Sequence, residues 1–259
     1  MSLQALRIVA TVIGPNTQYL LRFDDWLMKR DALAVLLQDM PTLVEAHKSR
    51  WSRPHPNNLH MTECDELPRI RLQSAIEGMT HTLYSLADIA AQFANRASHG
   101  DIPSSFNRLR QKVAADQTEA GLKCALGDLQ WYAKVRELRT EWSHHSTVFI
   151  GVGDNAEPIF VVRCFRRHSD RTEFTREIQC TVPEVCDWTL RAIKSIDNLA
   201  SYLLKKYIMR ALDLDARFTA IRRDEFGLPR MTDDHKFEIQ EMTVRGYLES
   251  LGVKPEEWL

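Results

Sequence analysis

Seven consecutive residues, Arg139-Thr140-Glu141-Trp142-Ser143-His144-His145, gather groups that together can act on a phosphodiester. A guanidinium grips a phosphate through a forked pair of charge-assisted hydrogen bonds. An imidazole gives or takes a proton near neutral pH. An Arg-x4-His pair can therefore cleave RNA without a metal. The histidine moves the protons, and the arginine stabilises the charge that develops on the phosphoryl oxygens. Arg139 and His144 are the candidate pair, with His145 as the alternative proton carrier. Glu141, three and four residues before the two histidines, can orient one imidazole and raise its pKa.

Positioning these groups falls to a helix predicted from about Leu122 to the motif, with Trp131, Val135, Leu138 and Trp142 as its apolar stripe. Beside it Tyr132, Arg136, Arg139 and Ser143 form a second stripe, spaced by four, three and four residues. Arg139 is thus placed at the edge of a buried face, its stem covered and its head available. Arg136, Ser143 and Thr140 are the neighbouring candidates for substrate contact. On a straight helix of ~100° per residue, Arg139 and His144 stand about 140° apart. They converge only if the helix ends or bends near Ser143, or if one of them comes from a partner subunit. Cations at a helix C-terminus are favoured by the dipole, so Arg and His at such an end need no function by themselves.

The flanking pattern is helical on both sides. Apolar spacing predicts a helix over Tyr19–Leu37, a proline-broken loop over Trp51–Asn58, a long helix over Ile70–Ala97 and a shorter one starting at Pro103-Ser104-Ser105. After the motif come three predicted strands: Thr147–Ile150, Ile159–Phe165 and Glu173–Cys180. Pro183 opens a long helix to Met209. The tail reads as a charged linker over Arg222–Asp234, then a helix over Phe237–Leu251. The expected fold is mainly α: a helical bundle with a small antiparallel sheet inserted before the last long helix.

The formal charge of −1 leaves no global field for nucleic acid, so any RNA affinity must be local. The second hairpin supplies one patch. Arg163, Arg166, Arg167, Arg171 and Arg176 outnumber Asp170 and Glu173, and Arg166 and Arg167 are candidate backbone contacts. Phe165 and Phe174 can stack bases or pack on the sheet. Charged tips also discourage edge pairing without any ligand.

Five cysteines without zinc-knuckle spacing read as reduced, mostly core residues of a cytoplasmic protein. His47, His55 and His60 flank the Pro-rich loop and read as surface histidines, His81 as partly buried, and Arg96 with His99 as a helix C-cap region. The apolar run Ile8–Ile13 is too short to span a membrane. No metal site, Gly-rich phosphate loop or serine-nucleophile motif is present, so no metal or cofactor is expected.

A long helix, a second helix, a helix ending in Arg-x4-His and a later closing helix form an order that resembles the HEPN family (higher eukaryotes and prokaryotes nucleotide-binding). The matching text is Glu137-Leu138-Arg139-Thr140-Glu141-Trp142-Ser143-His144-His145, and the resemblance covers roughly residues 68–212, with strands 146–181 inserted as in some bacterial members. Residues 1–67 and 213–259 stand as an N-terminal extension and a C-terminal tail. The resemblance implies a metal-independent endoribonuclease, a homodimer whose two motifs make one composite site, and a setting in bacterial anti-phage defence or a toxin–antitoxin pair. A ribose 2′-hydroxyl would attack its neighbouring phosphate, leaving 2′,3′-cyclic phosphate and 5′-hydroxyl ends, and DNA would resist. Thr140 stands where the family often has Asn, Asp or His. Ser146 stands where some family toxins carry a tyrosine, so adenylylation there is not implied. The competing expectations are a catalytically silent RNA- or nucleotide-binding module and a structural partner in a larger complex.

Overall fold

A computed structural model describes residues 17–51, 66–152, 157–167, 172–208, 214–215, 217–221, 230–234, 236 and 238–250, with the side chains of 17–24, 50–51, 66, 142–147, 152, 166–167, 172, 204, 208, 218, 220–221 and 250 outside that description. The expectations placed on Ile8–Ile13, on His55 and His60, on the turn after Gly151 and on the Arg222–Arg223 charge run fall outside the described residues.

Helix α1 spans Thr17–Trp51 and α2 spans Glu66–Ala97. The predicted first helix stopped near Leu37, but α1 runs on through Pro41. Pro41 removes one i→i−4 bond. Its ring lies on the exposed side, while Met40 and His47 continue the buried side, so packing carries the helix past the lost bond. His47, expected at the surface, is fully buried there. Trp26, Leu33 and Met40 of α1 share a core with Leu72, Ile76, Met79, Leu83 and Leu86 of α2. Trp26 meets Phe93 edge-on at 5.6 Å.

The α2 end is a Schellman motif: Gly100 N–H donates to the Asn95 carbonyl at 2.8 Å and His99 N–H to that of Arg96 at 3.1 Å. His99 takes the left-handed conformation (φ 51°) that glycine usually occupies, so the expected cap region is where it was placed. His81, expected partly buried, is exposed.

Helix α3 spans Phe106–Ala114, with Ser105 at its N-cap as expected. The predicted single helix from Leu122 to the motif is instead two, α4 (Ala120–Leu126) and α5 (Gln130–His145). Gly127 makes the break with φ 60°, ψ −142°, a region closed to L side chains. The Asp128 carboxylate then accepts the N–H of Gln130 at 2.9 Å and starts α5.

His145 ends α5 and Ser146 begins β1 with no loop between them. β1 (Ser146–Val152), β2 (Pro158–Arg167) and β3 (Thr172–Thr181) form an antiparallel sheet in order β1-β2-β3. Phe160, Val162, Cys164 and Cys180 turn to the core. Helix α6 (Val182–Leu203) follows β3 directly through a capping box. Thr181 Oγ1 accepts the Glu184 N–H at 3.3 Å, and Glu184 accepts the Thr181 N–H at 2.7 Å. α6 continues as one π-helical segment over Leu204–Ile208. Arg30 of α1 forks onto Asp197 of α6 through Nε and Nη2, at 3.0–3.2 Å.

The tail differs from expectation. β4 (Arg217–Ile221) and β5 (Ile239–Thr243) pair antiparallel, and among the described residues of the tail the helix is α7, Val244–Ser250. Leu214, Val244 and Leu248 are buried against the same core. The chain is therefore mainly helical with a three-stranded antiparallel sheet before its last long helix. Among the described residues no helix is long and apolar enough to cross a membrane.

Candidate functional site

α5 carries the motif between two supports, α2 on one side and the β2–β3 hairpin on the other. Of its predicted apolar stripe, Trp131, Val135 and Leu138 are buried, each at most 2% exposed, while the Trp142 side chain lies outside the described residues. Tyr132, expected on the functional stripe, is instead fully buried. Its ring lies 4.8 Å from Phe106 and stacks on Tyr84 of α2 at 5.8 Å with an 18° interplanar angle. Desolvation in that packing, with Asp88 and Tyr84 nearby, raises its hydroxyl pKa well above the usual phenol value.

Arg139 is half-buried, with its guanidinium carbon 4.3 Å above the centre of the Tyr84 ring. This is the edge placement that the stripe predicted, with a partner the sequence reading missed. Asp88, one turn beyond Tyr84 on α2, completes the group. Burial raises its carboxyl pKa above the ordinary range, while the backbone N–H of Phe106 and the charge of Arg139 hold it down. Ser105 makes no side-chain cap hydrogen bond. The legible signal was a tyrosine and a carboxylate four residues apart beside the apolar face of α2. Arg136 and Thr140, the other candidates on α5, are exposed.

Glu137 and Glu141 lie on the other side of α5. Arg176 of β3 donates Nη1 to Glu137 at 2.9 Å and Nη2 to Glu141 at 2.6 Å. The Glu141 carboxylate is engaged by Arg176 and lies close to the buried Cys164, and the imidazoles it was expected to orient lie outside the described side chains. Arg176, expected as part of a basic tip, is neutralised in place, and Arg163 is paired with Glu177 at 2.8 Å. Phe165 and Phe174 pair across the strands edge-on at 5.9 Å, and Phe174 remains exposed. Since Ser146 pairs with Cys164, residues 165–167 and 172–174 continue beyond β1 as a two-stranded arm that carries Arg166 and Arg167.

The helix runs without interruption to His145. At ~100° per residue, His144 stands within about 20° of Glu137 in angle, in the row of Glu137 and Glu141 and about 140° from Arg139. One chain thus places the backbone of His144 on the hairpin side of α5, while Arg139 reaches toward α2. Ser143 and His145 occupy the last turn. Among the described residues, no three of His, Cys, Asp and Glu gather at metal-binding range.

Three described cysteines, Cys164, Cys180 and Cys186, are at least partly covered, and Cys124 is exposed; all four are free thiols. Burial pushes Cys180 up to about 12.

No protein-family model, curated protein or solved structure matches the chain.

Proposed function

We propose that this chain is a metal-independent endoribonuclease that acts as a homodimer and leaves 2′,3′-cyclic phosphate and 5′-hydroxyl ends. The supporting observation is Arg139: a half-buried guanidinium, stacked on Tyr84, on a helix whose last turn carries two histidines. Arginine so placed can grip a phosphodiester. His144 or His145 moves the protons, and Arg139 stabilises the pentavalent phosphoryl charge. Arg136, Thr140 and Ser143 line the same helix end, and Arg166 and Arg167 lie on the overhanging arm, where a phosphate backbone would pass.

The separation of about 140° between Arg139 and His144 is what favours a dimer. A two-fold interface across the end of α5 would bring Arg139 of one protomer toward His144 of its partner, twice over. The cytoplasmic setting, and a role in bacterial anti-phage defence or as a toxin with an antitoxin partner, rest on the HEPN resemblance.

The same separation favours a second reading within a single chain: a binding module that recognises RNA or a nucleotide without cleaving it, or docks in a larger complex.

End-labelled RNA incubated with the protein in EDTA tests both. Arg139→Ala and His144→Ala should each lose about 10²-fold or more of the cleavage rate. Mixing the two inactive variants should restore part of the activity, because a mixed dimer has one intact composite site. RNA bound but uncut, by wild type and variants alike, sinks the ribonuclease and leaves the binding module.

A further inference from the structure

We infer that Tyr84 and Asp88 are positioning residues for Arg139, fixing its guanidinium across the α2–α5 interface before any ligand arrives. The consequence for cleavage rests on the ribonuclease reading; the positioning itself does not.

Tyr84 and Asp88 are four residues apart on α2 and share one face. Tyr84 is half-buried and backed by a packed ring. Tyr132, fully buried, stacks on it at 5.8 Å and is wedged against Phe106 and Trp131. The guanidinium carbon of Arg139 lies over the Tyr84 ring, 4.3 Å from its centre, a cation–π contact that favours this placement. Asp88, on the same face one turn on, adds a carboxylate whose charge acts on Arg139. Two helices thus meet at one side chain: α2 gives the ring and the nearby charge, and α5 carries the arginine.

A free arginine samples many rotamers, and ordering it on binding opposes the affinity gained. Here part of that ordering is done by the fold, through the Tyr84 ring, before a phosphodiester arrives.

Full-length wild type, Tyr84→Phe, Tyr84→Leu, Asp88→Asn, Arg139→Ala and the Tyr84→Leu/Arg139→Ala double variant are compared in two ways. The first is the arginine side-chain Nε–Hε NMR spectrum, with Arg139 identified by its loss in Arg139→Ala. Its signal should be ring-current shifted and slow to exchange in wild type and in Tyr84→Phe. The shift should vanish in Tyr84→Leu, and exchange should quicken in Asp88→Asn. A wild-type Arg139 signal lying among the averaged arginines overturns the proposal whether or not RNA is cut.

The second is cleavage in EDTA. Tyr84→Leu and Asp88→Asn should lower kcat about tenfold or more with KM within about twofold, and Tyr84→Phe should retain activity. Tyr84→Leu should cost nothing further once Arg139 is alanine. An equal loss in that background marks a merely structural role and overturns the proposal. A fixed Arg139 signal in a protein that cuts no RNA supports the positioning while the ribonuclease reading fails.

Discussion

On its α2 side, α5 is sealed by aromatic rings: Tyr132 is fully buried between Tyr84 and Phe106, and Arg139 lies over the Tyr84 ring. On its hairpin side, the ion pairs of the same helix among the described residues run through Arg176, shared between Glu137 and Glu141, all three partly exposed. The first attachment removes apolar area from water and does not depend on salt. The second exchanges hydrated charges for paired ones and nets little. One helix thus has a rigid side, where its arginine is placed, and a side that can be loosened cheaply, where its histidine row runs.

The largest expected effect is on the rigid side. Tyr132→Ala empties a packed site and should cost about 3–5 kcal/mol in denaturant unfolding, as large-to-small aromatic core changes do. Tyr84→Leu keeps apolar bulk but loses the stack and the cation–π contact, and should cost about 1 kcal/mol. Arg176→Ala, on the other side, should cost at most about 1 kcal/mol, shrinking further as salt is raised. An Arg176→Ala loss matching that of Tyr132→Ala would end the distinction between the two sides.

Asp88 sharpens it through pH. Burial is the main cause of its raised carboxyl pKa, so the folded state holds that proton more tightly than the unfolded chain does. Its contribution is therefore fully present below the unfolded value of about 3.9 and is lost as pH rises through the folded pKa. Denaturation midpoints of wild type and Asp88→Asn, compared from acid to neutral pH, should show the wild type losing ground as pH rises. A difference that moves the other way would mean that Arg139 and the Phe106 N–H outweigh burial. The smallest effect is chemical: Cys124 should alkylate readily, while Cys180, raised to about 12 and buried, should react only on unfolding.

Periodicity made α2, the buried stripe of α5 and all three strands of the inserted sheet legible, because a half-buried element repeats its apolar residues at 3.6 or 2. It failed where a long-range contact outweighed a local signal. Pro41 reads as a stop, yet Met40 and His47 are buried on either side of it and keep α1 helical. Gly127 was passed over because the apolar residues Leu126 and Leu129 continue across it. β4 and β5 are separated by residues 222–238, and each strand is only five residues long, so neither announces the other. At the candidate site, the placement of Arg139 followed from its position on the helix. Tyr84 and Asp88 did not, since nothing local ties α2 to a residue some fifty positions later. Glu141 likewise read as a partner for an imidazole and Arg176 as part of a basic tip, until the fold set them side by side.

The junction between His145 and Ser146 leaves no slack. Helix phase advances ~100° per residue, and strand facing reverses with each residue. A single inserted residue at this boundary would have to rotate the last turn of α5 or turn the β1 side chains to the opposite face. The direction in which the motif points and the register of the sheet are therefore a single setting, and this chain can evolve one only by re-evolving the other.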